Sequence, residues 1–292
     1  MNKIRKKILI FVLMIIAIAL VAWLVWDNTR IVVTEIEIEN AKLPESFDGY
    51  RIAHVSDLHN DEFGKDNEKL LTLIESAEPD MIAITGDLLD SRRTDTEKAL
   101  NFVRQAVKIA PCYYVTGNHE SREGKTYDQL EKDMIEAGVV VLRNDKLLLE
   151  KGGEAITVAG IDDPRFVLDT DKQAKMEDVI GKVLDGLLKD IPKERFTLLL
   201  SHRPELFELY CEYETDLILA GHVHGGQFRI PWIGGIIGPG QGLLPDYDAG
   251  LYREEDVCMV LSRGLGQSIV PFRVNNPPEL VVITLKHKDL TE

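Results

Sequence analysis

The sequence predicts an α/β fold with a largely parallel first sheet, behind one membrane-spanning helix. Three observations carry this expectation. Nineteen uncharged, apolar residues run from Ile8 to Trp26. Beyond residue 50, short apolar runs alternate with stretches of helical period, the pattern of successive βα units. Five of those apolar runs end in clusters of Asp, Asn and His.

The first run, as a helix, spans roughly 28 Å, close to the hydrocarbon thickness of a bilayer. Lys3, Arg5, Lys6 and Lys7 precede it and Asp27 follows. Positive flanks stay cytoplasmic, so the expected topology is a basic tail (1–7) inside, a signal anchor (8–26) across, and a body (27–292) outside. A cleaved signal peptide is the other reading, because Ala17-Ile18-Ala19 has a small-x-small form. Apolar Leu20–Trp26 after it favours retention. A buried core helix fits the basic cluster poorly.

The body is long enough to bury a sizeable core without disulfides, and no linker divides it. Ile31–Glu39 ends in alternating Ile and Glu, a half-exposed strand. Arg51–Ser56 reads as a buried strand. A helix at Asn67–Ala77, the strand Met81–Thr85, a helix at Asp95–Ile109, the strand Cys112–Thr116 and a helix at Tyr127–Ala137 follow. Next come a strand pair from Val140–Leu149 and Ile156–Ala159, and a helix near Lys175–Lys189. Strands at Phe196–Leu200, Leu217–Ala220, Val257–Ser262 and Leu280–Leu285 complete the chain. Residues 221–250 hold nine of the 22 glycines. That is a long loop, either functional or a plain crossover.

Charge narrows the partners. The chain carries −15, but residues 1–30 hold five basic groups and one acid. The remainder has 29 basic and 48 acidic residues, or −19. Such a body suits no nucleic acid, whose binding rests on neutralised phosphates. The three cysteines lack CxxC spacing and read as free thiols, none catalytic.

The polar clusters are Asp57-Leu58-His59, Gly86-Asp87, Gly117-Asn118-His119-Glu120, Ser201-His202 and Gly221-His222-Val223-His224. In α/β sheets, ligands bind beyond the carboxyl ends of strands. Asp57, Asp87, Asn118, His59, His202, His222 and His224 make seven mixed N/O ligand candidates. That is enough for two divalent ions if one carboxylate bridges them. Without thiolate, the set suits Mn, Zn or Fe. His54, inside a strand, reads as packed, and His287 as a solvated tail. Asp162-Asp163-Pro164 reads as a turn, with an acidic ligand pair as the alternative. Arg203 reads as a surface pairing residue, with a phosphate contact as the alternative.

The ordered series DxH, GD, GNHE, SH and GHVH resembles the calcineurin-like metallophosphoesterase superfamily. Ser262–Gly266 and Asn276–Leu280 look like its membrane-linked bacterial phosphodiesterase branch, which includes UDP-2,3-diacylglucosamine hydrolase-like proteins. The resemblance implies a four-layer α/β/β/α sandwich of two mixed sheets flanked by helices. It implies that Asp57, His59 and His224 hold one metal, that Asn118, His202 and His222 hold a second, and that Asp87 bridges them. It implies attack of a metal-bridging hydroxide on phosphorus. His119 is implied to be catalytic, stabilising the transition state or protonating the leaving oxygen. The expected protein is a monomeric, membrane-anchored phosphohydrolase acting on a lipid- or envelope-linked phosphate. Its alternatives are a soluble nucleotide phosphodiesterase and a non-catalytic metal-binding envelope protein.

Overall fold

The computed structural model describes residues 3–289 except 172, 214, 268 and 269. Helix α1 (Lys3–Thr29) leads into β1 (Val32–Asn40). Then follow β2 (Arg51–Val55), α2 (Glu68–Ser76), β3 (Met81–Thr85), α3 (Thr96–Ala106), β4 (Cys112–Val115), α4 (Lys125–Glu136) and β5 (Val140–Val141). The second half runs β6 (Asp145–Lys151), β7 (Glu154–Gly160), α5 (Arg165–Leu168), α6 (Met176–Leu188), β8 (Thr197–Leu200), α7 (Phe207–Cys211) and β9 (Leu217–Ala220). Two small hairpins pair β10 (Arg229–Ile230) with β11 (Gly234–Gly235), and β12 (Ile237–Gly238) with β13 (Gly242–Leu243). The chain closes with β14 (Gly250–Glu254), β15 (Val257–Leu261) and β16 (Glu279–His287).

Two six-stranded sheets form. Their orders are β1-β16-β2-β3-β4-β5 and β14-β15-β9-β8-β7-β6. Strands β2 to β5 are parallel neighbours, as are β7, β8, β9 and β15. Antiparallel pairs β16/β2, β14/β15 and β6/β7 make both sheets mixed.

Side-chain alternation explains the layers. Ile52, Ala83, Leu198, Leu200, Leu217, Leu219 and Val260 point into one apolar core between the sheets. Their strand neighbours Ala53, Ile82 and Ile84 face α2, α3 and α4 instead. On the far side, Leu199, Ile218 and Met259 face α6 and α7. Each strand buried on both faces reads as continuously apolar. Burying one such Leu, Ile or Val contributes roughly 1.5–3 kcal/mol. The layers are therefore helix, sheet, sheet, helix, as expected.

Most boundaries agree with the expected elements, and the differences have local causes. Asp95 is not the first residue of α3 but its cap. Its backbone is extended and its side chain accepts from Lys98 N at 3.1 Å. Val140–Leu149 is not one strand of a pair: β5 extends the first sheet, whereas β6 opens the second. Leu142 is buried in the core between the sheets, and Asn144 turns the chain at φ +52°. An apolar run carries no mark of the point where it leaves one sheet for another.

Helix α1 is apolar on every face and long enough to cross a membrane, with mean hydropathy 3.3 over its best window. Its far end is gripped by the body. Asn28 Nδ2 donates to the Arg273 carbonyl at 2.9 Å, and Arg273 N donates to Asn28 Oδ1 at 2.7 Å. The cysteines Cys112, Cys211 and Cys258 are free thiols, as expected. His287 is no loose tail: its ring Nδ1–H donates to the Leu43 carbonyl at 2.5 Å.

Candidate active site

Five parallel strands from two sheets deliver their loops to one edge. Strand β2 leads to Asp57 and His59, β3 to Asp87, β4 to Asn118 and His119, β8 to His202, and β9 to His222 and His224. All eight side chains are buried. Asp57, His59 and His224 form one group of closely spaced ligand atoms. Asp87, His202 and His222 form another. A third joins His59, His119 and Asp90, the last of which the sequence reading did not single out.

Asp87 stands between the groups. Its Oδ2 lies 3.7 Å from His59 Nε2 and 3.3 Å from His202 Nε2. Asp57 Oδ1 lies 3.8 Å from His59 Nε2 and 3.5 Å from His224 Nε2. Two imidazole pairs face each other nitrogen to nitrogen: His59 with His224 at 3.1 Å, and His202 with His222 at 3.2 Å. Buried Asn118 Oδ1 has no hydrogen-bond partner. Such an orphaned acceptor beside converging imidazoles and carboxylates fits divalent cations with N/O ligands.

The electrostatics agree with that donor set at three of the four rings, and at His202 a cation would have to displace a proton. Burial pushes His59 and His224 down to about 3, so both rings are neutral bases. Burial and then the Arg203 charge hold His222 well below its ordinary value. Burial also opposes a charged His202, but the Asp87 carboxylate outweighs it and raises that ring to about 10.

Backbone geometry builds the site. Asp57, His59, Asp87, His222 and His224 all have φ between +48° and +74°. Left-handed backbone in non-glycine residues stores strain of about 1–3 kcal/mol each and clusters at functional sites. The motif glycines make room for these turns. A Cβ on Gly221 would lie 1.9 Å from Ser56 Oγ and 2.4 Å from Asp57 Oδ2. A Cβ on Gly117 would lie 2.3 Å from Asp87 Oδ1.

Supporting residues complete the shell. Glu120, buried, accepts from the backbone N–H groups of Asp87, Leu89 and Gly117 at 2.8–3.0 Å. It thereby ties the β3 loop to the β4 loop. Ser91 N donates to His119 Nδ1 at 2.9 Å. That bond leaves the proton of a neutral ring on Nε2, which lies 4.0 Å from Asp87 Oδ2. Arg203 is not a surface residue. It is buried, paired with Asp163, and its Nη1 lies 2.7 Å from His222 Nε2. Asp162 instead pairs with Arg143 and accepts from Thr116 Oγ1, so neither aspartate of the turn is itself a member of a ligand group. His54 is packed as expected, bonded to Thr85 Oγ1 at 2.8 Å.

A cavity of about 520 Å³ opens over the site. Asp87, Asn118, His119, His222 and His224 line one wall, and Ile237–Gly240 line another. Arg92, Arg122, Arg165 and Arg203 also line it. Four arginines thus border this opening in a body whose net charge is −19.

The calcineurin-like phosphoesterase family model matches residues 50–226, which span every cluster just described. The chain belongs to the calcineurin-like phosphoesterase family. It is 31% identical over 261 residues to an uncharacterized metallophosphoesterase of Bacillus subtilis, YkuE, covering 87% of this chain and 85% of that one. It is 25% identical to the Escherichia coli phosphodiesterase YaeI, covering 81% and 82%. It is 28% identical to a zebrafish (Danio rerio) transmembrane protein with metallophosphoesterase domain, covering 87% and 57%. Among solved structures, the Thermus thermophilus sulfate thiohydrolase SoxB shares the fold, with TM-score 0.52 and 13% identity over 84% of this chain and 57% of that one. This calcineurin-like phosphoesterase is a metal-dependent phosphohydrolase with an N-terminal helix suited to membrane anchoring.

Asp90, Ser91 and Glu120 escaped the sequence reading as parts of the site. Asp90 and Ser91 follow Gly86-Asp87 by a few residues, and no spacing rule marks them. Glu120 stands inside the GNHE cluster, so its position was visible although its role was not.

Proposed function

We propose that the body hydrolyses a phosphodiester or related phosphate bond at two divalent ions, on a lipid- or envelope-linked substrate outside the cytoplasm. Asp57, His59 and His224 would hold one ion, and Asn118, His202 and His222 the other. Asp87 would touch both. The single observation that carries this reading is the Asp87 carboxylate, set between the two groups at 3.7 and 3.3 Å. Bound there, Mn, Zn or Fe would polarise the phosphoryl oxygens and lower the pKa of water.

The chain's own residues do the rest. His119, oriented by Ser91, points an Nε2–H toward Asp87 and the cavity, where it can donate to the leaving oxygen. Arg92, Arg122 and Arg165 on the cavity wall bind phosphate charge. Buried Glu120 keeps the β3 and β4 loops in register.

The test uses the full chain in detergent. Bound metal is measured, then hydrolysis of a bis-aryl phosphodiester with and without added Mn²⁺. Activity that needs metal and is lost in Asp87→Asn is the expected result. Inactivity with every metal overturns the enzyme reading, and an Asp87→Asn enzyme as active as the parent overturns the site. Protease added to intact cells should cleave the body, and protection would place it inside.

A further inference from the structure

We propose that the glycine-rich flap formed by residues 227–250 docks on the bilayer that α1 crosses. The site would then receive phosphate esters presented at a lipid surface. This rests on the phosphohydrolase reading above and gives it a direction of substrate entry.

Exposure is the first observation. Trp232, between β10 and β11, is fully exposed at 102%, and Ile233 is 63% exposed. Ile230, Leu243, Leu244 and Phe272 also present apolar surface to solvent. Scattered apolar residues are ordinary on a surface, but a clustered set marks an interaction face. Tryptophan is the residue most suited to a membrane–water boundary.

Continuity with α1 says which surface covers the flap. Asn28, in the last turn of α1, holds both backbone groups of Arg273. The residues on either side of Arg273 carry the flap. Gln227 Nε2 donates to the Phe272 carbonyl at 2.6 Å, and Arg229 N donates to the Val274 carbonyl at 3.0 Å. The Phe228 and Phe272 rings stand 5.7 Å apart between centroids. One short segment therefore joins the membrane helix to the root of the flap.

Charge agrees. Residues 228–245 contain one arginine and no acid, Asp246 and Asp248 close the flap, and Arg229 pairs with Asp248 at 3.0 Å, which leaves the flap nearly neutral. The rest of the body is strongly acidic. An apolar face with little net charge is complementary to lipid.

The same flap reaches the chemistry. Ile237–Gly240 form a wall of the candidate site cavity. Arg92 lines that cavity and also a neighbouring one of about 600 Å³, whose wall includes Asn28 and Thr29 of α1. A docked flap would thus bring the mouth of the site to the headgroup layer.

The experiment uses the full chain in vesicles of phosphatidylcholine and phosphatidylglycerol. The chain has three tryptophans, so Trp23→Phe with Trp26→Phe leaves Trp232 as the sole emitter. Blue-shifted emission, quenched by brominated phosphatidylcholine, is expected. Water-like emission that ignores the bromolipid overturns the proposal. In parallel, Trp232→Asp with Ile233→Asp is compared with the parent on a soluble aryl diester and on a diacyl aryl phosphodiester carried in the vesicles. The soluble rate should stay the same while the vesicle rate falls roughly tenfold. An equal change on both substrates overturns the proposal. A parent inactive on both substrates, with Trp232 quenched, overturns the phosphohydrolase reading and leaves the docking intact.

Discussion

Arg203 and Asp163 form a two-point ion pair inside the body, with Nε to Oδ2 at 2.5 Å and Nη2 to Oδ1 at 3.1 Å. Both side chains are buried, and the remaining Nη1 reaches His222. The pair thus connects the turn after β7 to the ligand group after β9. Its strength lies in completeness, because a buried charge without its partner is costly. Arg203→Met should therefore destabilise the protein by about 3–5 kcal/mol. Arg203→Met with Asp163→Leu should recover part of that loss. Chemical denaturation of the parent, Arg203→Met, Asp163→Leu and the double variant checks it, and simple addition of the two single effects contradicts the coupling.

His119 should separate binding from chemistry. His119→Asn keeps a short acceptor near Ser91 but removes the ring Nε2–H. Metal content should be unchanged while kcat on an alkyl phosphodiester falls about 10²-fold or more. The loss should shrink with nitrophenol as leaving group, which departs without a proton. Equal losses on both substrates would remove His119 from the role of proton donor.

Metal should stabilise the fold as well as enable the reaction. Ions that bind only the folded chain, at a hundredfold excess over Kd, add about 2.7 kcal/mol. Chelation should lower Tm, and re-addition of Mn²⁺ or Zn²⁺ should restore it. In Asp87→Asn the response to metal should weaken. Thermal unfolding with and without chelator reads both effects.

Glu279 supplies a pH dependence away from the metal ligands. Burial works against its charge, but hydrogen bonds and the charge of Arg263 outweigh burial and hold its pKa below the ordinary carboxylate value. It accepts from Thr34 Oγ1 at 2.6 Å and from Arg263 Nη2 at 2.7 Å. A depressed folded-state pKa contributes stability above the unfolded value of about 4.3 and loses it as pH falls through the folded value. Glu279→Gln should be less stable than the parent at pH 7, with the gap closing below about pH 4. Urea midpoints across that range measure it.

The crowded motif glycines make a sharper test of backbone geometry. Gly221→Ala would put its Cβ within 1.9 Å of Ser56 Oγ, next to Asp57. Overpacking of this kind costs about 1–3 kcal/mol and displaces neighbours. The variant should fold but bind metal more weakly. Unchanged metal affinity would show that the β9 turn tolerates the shift.

Much of this molecule is legible without coordinates because the signals are local. Strand alternation, helical period and the Asp and His clusters each occupy a few consecutive residues. All seven ligand candidates were named from such clusters; six fall into two groups of closely spaced ligand atoms, and Asn118 lines the same cavity. The division of Val140–Leu149 between two sheets was not legible, since both β5 and β6 read as apolar strand. Nor was Arg203, because a single arginine after His202 looks the same whether its partner is solvent or Asp163. Ser91 and Glu120 act through backbone N–H groups, and such contacts leave no spacing pattern.

By itself the sequence determined the α1 segment, the order of strands and helices, and the residue types at the strand ends. These depend on the chemistry of neighbouring residues and on periods of two or 3.6. Only the tertiary structure decided which ends meet. The two sheets pack through residues such as Ile52 and Leu219, far apart in the chain, and that packing brings Asp87 between His59 and His202. It also decided that Asn28, Arg273 and the flap share one corner. Those contacts depend on how layers stack in space, a property that no stretch of consecutive residues encodes.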